Sequence, residues 1–173
     1  MSERPLIACL DVHYVGDQAC AAAIVVRGWT EHEWVGEHTV LCEVFAPYRP
    51  GQLYRRELPP VLEVLERLPD APDVFIVDGY VWLDDQGGQG LGAHLHAVKA
   101  GRIPVIGIAK NPLPDTSHAR EVLRGDSQQP LYVTAAGVEL DEAAARVQAL
   151  DGDFRLPDVA RRADAVCRGG FGP

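Results

Sequence analysis

The chain has 173 residues and a formal net charge of −9, a length that suits one domain over residues 1–173. No apolar run approaches the ~18 residues of a membrane span, and the opening MSERPLIACLDV lacks the basic-then-apolar pattern of a signal peptide. The acidic balance excludes nucleic-acid binding through a broad basic surface. It still allows an acidic metal centre served by a short basic strip such as PYRPGQLYRRE.

PLIACLDV is an apolar run that ends in a carboxylate; after the turn VGDQ, ACAAAIVVRGW is a second apolar run. EHEWVGEHTVLCEVF alternates as a third strand, and short links between the three predict an antiparallel meander. PYRPG is a loop by its prolines and glycine. ELPPVLEVLERL has Leu58, Val61, Leu62, Leu65 and Leu68 at helical spacing, predicting a helix from about Glu57 with its prolines in the first turn. PDVFIVDG and RIPVIGIAK read as buried parallel strands around a helix in AHLHAVKAG. PLYVTAAG reads as a last strand, VELDEAAARVQAL as a helix and RLPDVARRADAV as a final short helix. A meander passing into β-α crossovers predicts an α/β fold, a mixed sheet with helices on both faces. Cys9, Cys20, Cys42 and Cys167 lie far apart with no C-x-x-C pair. They read as free thiols of a cytoplasmic protein.

Two of these runs, IACLDV and VFIVDG, carry an Asp where the apolar stretch stops. Ligands of parallel α/β sheets bind beyond the carboxyl ends of strands. An aspartate there either caps a turn or holds a cation, and a charge near an apolar strand is costly without a partner. Asp11, Asp78 and the intervening Glu57 are hard oxygen donors that would suit Mg²⁺ or Mn²⁺ rather than zinc.

LDVHY, PYRPGQLYRRELP, VFIVDGY, GLGAHL, IPVIGIAK and RLPDVARRAD follow the order and spacing of the endonuclease V family, which the chain therefore resembles over nearly its whole length. The resemblance implies a ribonuclease H-like fold and Mg²⁺-dependent cleavage of DNA or RNA beside a deaminated adenine, as in repair. It implies metal binding and catalysis by Asp11, Glu57 and Asp78, with Lys110 of IGIAK beside the scissile phosphate. It also implies a wedge loop in which Tyr48 fills the gap left by an extruded base and Pro47, Pro50 and Gly51 set the shape. Arg55 and Arg56 would flank the phosphates and Gly79 of the DG pair would approach the base.

The sequence also departs from the family pattern. A G-H-R histidine is replaced by Ala136, and the DGHG-x-x-HPRR segment becomes DGYVWLDDQGGQ. Val81 then stands at a glycine position, where a branched side chain would narrow the base pocket. Asp84 and Asp85 replace basic residues near the phosphate path. Little preference for inosine is the expectation from these changes, and a catalytically degenerate domain that binds nucleic acid or a ligand is the alternative. His94 and His96 sit two apart on a helix, a poor metal pair, with His94 expected to pack. His13 could stand in for the missing histidine. Trp82 could stack on a base or cover the sheet edge.

Overall fold

The structure, a computed structural model, describes residues 1–44, 52–114 and 117–171. Chain order runs β1 (Leu6–Val15), β2 (Gln18–Arg27), β3 (Glu33–Glu43), α1 (Tyr54–Leu65), β4 (Val74–Asp78), α2 (Leu91–Val98), β5 (Val105–Ala109), β6 (Arg120–Val122), β7 (Leu131–Ala136), α3 (Leu140–Ala149) and α4 (Asp158–Gly169). The strands make one 7-stranded mixed sheet in the order β3-β2-β1-β4-β5-β7-β6. The meander β1-β2-β3 is antiparallel, as its short links require, and β1, β4 and β5 are parallel. Edge strand β6, which lacks a clear hydrophobic pattern in the sequence, pairs with β7.

Both faces of the sheet are covered, which explains the unbroken apolar runs of the central strands. Along β1, Leu6, Ala8 and Leu10 pack with Val61 of α1 and Leu95 of α2. Ile7 and Cys9 pack on the other face with Val147 of α3 and with Val159 and Ala163 of α4. Between these layers β2 presents buried Ala19, Ala21, Ala22 and Ala23; side chains this small let α1 and α4 come close to it from opposite sides. Cys9, Cys20, Cys42 and Cys167 are all unpaired thiols.

Three details differ from the sequence reading. First, β1 does not stop at Asp11. It continues to Val15 and turns through Gly16 and Asp17 into β2, because the antiparallel ladder with β2 sustains it after pairing with β4 has ended at Leu10–Val77. Second, α1 starts at Tyr54, so Pro59 and Pro60 fall in its second turn, where they remove the hydrogen bonds to the carbonyls of Arg55 and Arg56. Third, the last helix, α4, is as long as α1, 12 residues.

Close packing of backbone on backbone locks the centre of the sheet. A Cβ on Gly107 of β5 would lie 2.5 Å from the carbonyl oxygen of Gly79 and 2.9 Å from the nitrogen of Val81. Buried Thr134 of β7 accepts the Val81 N–H at 2.8 Å through Oγ1. Gly107→Ala should therefore lower unfolding stability by ~1–3 kcal/mol, a loss that urea titration followed by circular dichroism would register; an unchanged midpoint would refute this account of the packing.

Candidate active site

Adjacent parallel strands β1 and β4 bring Asp11 and Asp78 side by side at the edge of their shared ladder. Glu57 reaches the same region from the first turn of α1. Burial and their mutual charges act on their ionisation. Burial, followed by the Asp78 charge, pushes the Asp11 carboxyl up to about 6, with Asp164 raising it further and the Val12 N–H and Lys110 opposing. Burial, then Asp11 and Asp78, pushes Glu57 up to about 7, against the pull of Arg56. Lys110, just past β5, donates to Asp78 Oδ2 at 3.1 Å. A small cavity under α4 is lined by Asp11, Asp78 and Lys110 together with Leu156, Ala160 and Ala163.

The sequence reading missed a further acid. α4 lies across β1, and one oxygen each from Asp11 and Asp164 and the sulfur of Cys167 all lie within 4.8 Å of one another. The available signal was the second Asp in RLPDVARRAD, one turn after Ala160 and next to Ala163, both of which line the cavity. Burial first, then Asp11 and Asp164, drive the Cys167 thiol well above its usual range. A protonated thiol is a poor ligand, so the donors that fit a cation here are the carboxylates. Hard oxygen donors crowded against their own repulsion suit a divalent ion such as Mg²⁺ or Mn²⁺.

Beside the carboxylates opens a cleft of about 420 Å³, lined among others by Tyr54, Glu57, Asp78, Gly79, Tyr80 and Leu91. Gly79 has φ +117°, and a Cβ there would meet nothing within 4 Å; backbone conformation, not space, calls for glycine. Tyr54 stacks on His94 with ring centroids 3.5 Å apart, so His94 packs as expected. His96 instead bonds the Ile103 carbonyl through Nδ1 at 2.8 Å. His13 meets Phe171 edge-on.

The expectations for Val81 and Ala136 are corrected here, and the other sequence candidates take the places given below. Val81 is fully buried in the core and does not line the cleft, because its chain direction points it at Gly92. It cannot narrow a base pocket. Ala136 pairs with Val105, at the opposite end of β5 from Lys110. At ~3.3 Å per residue, a histidine there would not sit at the carboxylates. Trp82 donates Nε1–H to the Ala135 carbonyl at 2.8 Å, which ties it to β7. Asp84 caps its own turn through the N–H groups of Gln86 and Gly88. Asp85 bonds His118 Nδ1 and the Ser117 N–H. Arg56 lies over the Tyr14 ring at 4.8 Å, in a cavity against the end of β3, while Arg55 is exposed and reaches the Tyr54 hydroxyl. Pro47, Tyr48, Pro50 and Gly51 lie outside the described residues.

Residues 1–129 match the family model described as endonuclease V. The chain belongs to the endonuclease V family. It is 38% identical to the endonuclease V of Streptomyces coelicolor over 172 residues, covering 88% of this chain and 72% of that protein. The crystal structure of the endonuclease V of Streptomyces avermitilis superposes with a TM-score of 0.79 at 33% identity, covering 96% of this chain and 81% of that one. A structure of Ciona intestinalis endonuclease V, in complex with a 23mer DNA containing an inosine followed by a ribo-adenosine, shares the fold. Its TM-score is 0.83 at 20% identity, over 96% of this chain and 85% of that one. The family-model match ends before α4, so Asp164 lies outside it. Among the described residues, no helix of this endonuclease V-family chain is long and apolar enough to cross a membrane.

The acids carry a stability consequence. A carboxyl whose pKa is raised on folding gives stability that is complete below its unfolded value, 3.8 for Asp11, and is lost as pH rises through about 6. Without divalent ions, Asp11→Asn should therefore be more stable than the wild type at pH 8 by about 2 kcal/mol. The advantage should shrink to nothing below pH ~4. Thermal unfolding in EDTA across this range is the check; a variant less stable than the wild type at pH 8 would contradict the repulsion.

Proposed function

We propose that this protein is a metal-dependent endonuclease that hydrolyses a phosphodiester of DNA or RNA, with Asp11, Glu57, Asp78 and Asp164 as its metal ligands. The observation that carries the reading is that Asp164 brings an oxygen within 4.8 Å of one of Asp11, while Asp78 lies near enough for its charge, after burial, to raise the pKa of both Asp11 and Glu57. A site that had lost its cation would gain stability by discarding such charges, so a degenerate binding domain is the weaker alternative. The bound ion would make water a nucleophile near neutral pH and neutralise charge on the phosphate. Asp11 is held by the Val12 N–H at 2.8 Å, which fixes its carboxylate for ligation. Lys110, at 3.1 Å from Asp78, is placed to offset negative charge on a phosphate oxygen.

The cleft shares Glu57 and Asp78 with the carboxylate site, so a base extruded into it would lie beside the reacting phosphate. The Ciona protein was crystallised with inosine-containing DNA, and hypoxanthine is the base proposed for this cleft. With Val81 buried elsewhere, nothing in its position opposes that base.

Single- and double-stranded DNA and RNA, each with inosine or adenine at one position, should be incubated with Mg²⁺ or Mn²⁺. The expectation is cleavage with at least tenfold preference for inosine, ~1.4 kcal/mol. Asp11→Ala and Asp164→Asn should each lower the rate roughly a hundredfold or more, ~2.7 kcal/mol, whereas Cys167→Ala should stay within about threefold, ~0.7 kcal/mol. No cleavage of any strand would favour the binding domain. Equal rates on inosine and adenine would remove the base assignment alone.

A further inference from the structure

A second, larger groove of about 700 Å³ lies on the far side of Lys110. It is lined by Lys110, Asp126 and Ser127, the segment Asp153–Leu156, and Arg161. Lys110 and Leu156 also line the cavity beside Asp11 and Asp78, so the groove adjoins the carboxylate site. Phe154 stands in it 59% exposed, and the Arg161 guanidinium carbon lies 4.2 Å from its ring centroid. Arg161 also pairs with Asp158 at 3.4 Å, which leaves most of its donor fork free for another acceptor.

The segment that presents Phe154 is held firmly. Arg155 donates to the carbonyls of Lys110 and Pro130, the latter at 2.7 Å. Arg124 donates to the carbonyls of Leu150 and Gly152 at 2.5 and 3.0 Å. The backbone on either side of Phe154 is thus anchored while its ring remains in solvent, where burying it would be favourable. One ring is too small a patch for a stable protein interface. An exposed aromatic ring beside a cation with donors to spare is instead the combination that binds unpaired nucleotides, by stacking the base and attracting the phosphate. Asp126 and Asp153 also line the groove. They disfavour a polyanion packed along its whole length and favour a single nucleotide held at the Phe154–Arg161 end.

We propose that this groove is a substrate subsite, in which an unpaired base flanking the cleaved position stacks on Phe154 while Arg161 contacts its phosphate. The inference rests on the nuclease reading above. The test uses single strands carrying one inosine and a 2-aminopurine placed in turn at each neighbouring position, with Ca²⁺ replacing Mg²⁺ so that the strand is held uncut. In the wild type one position should be quenched on binding. Phe154→Ala should lose that quenching and bind about tenfold more weakly, Phe154→Trp should keep it, and Arg161→Ala should weaken binding by about threefold. A complementary strand that pairs this position should make wild type and Phe154→Ala bind alike. Phe154 is exposed, so its variants should unfold at the wild-type temperature. If the wild type binds and cuts the strand but Phe154→Ala binds equally well with the same quenching, the subsite is overturned and the nuclease reading stands. If the wild type neither binds nor cuts any strand, both fall.

Discussion

Repulsion among like charges is the constraint around which this protein is built. Asp11, Asp78, Glu57 and Asp164 come from β1, β4, α1 and α4, and without a cation the charges of Asp78 and Asp164 make Asp11 harder to ionise, as those of Asp11 and Asp78 do for Glu57. The surrounding fold has to supply the stability that this arrangement removes. It does so with a sheet buried on both faces, with Lys110 bonded to Asp78 and with Arg168 bonded to Asp164 at 2.8 Å. The site and the core are therefore opposed energetically even though they share strands: Leu10 and Val77 are core residues, and the residues that follow them are the acids.

Much of this was legible in the sequence. Apolar runs that stop at a carboxylate located Asp11 and Asp78, and helical spacing placed Glu57 at the start of the first helix. Those signals are local, since a strand buried on both faces must be apolar throughout and a charge can enter only where burial ends. The alternating third strand and the short links between the first strands likewise fixed the meander, because only antiparallel strands can be joined so briefly.

What the sequence hid was non-local. Asp164 belongs to an amphipathic helix whose acidic residues look like an ordinary solvated face, and only the docking of α4 across β1 brings one of them beside Asp11. The direction of Val81 was hidden for a related reason. Correspondence along the chain assigns a residue a place in a loop but not which way its Cβ points, and the bond from its N–H to Thr134 on β7 turns it into the core. Ala136 was misplaced because a strand running antiparallel to β5 reverses which of its ends is near the site. The short edge strand β6 owes its existence to pairing with β7 rather than to any pattern of its own.

The distance along the chain between the acids has a consequence for how the protein comes to be. Asp11 lies in the first strand and Asp164 in the last helix, so the loop joining them spans almost the entire polypeptide, and closing it is among the latest steps available to a chain made from its amino end. Until α4 docks, β1 and β4 can pair with their acids facing water, where screening makes the repulsion cheap. Late closure lets the sheet form before the charges are enclosed, and it leaves a partly made chain without its full set of acids.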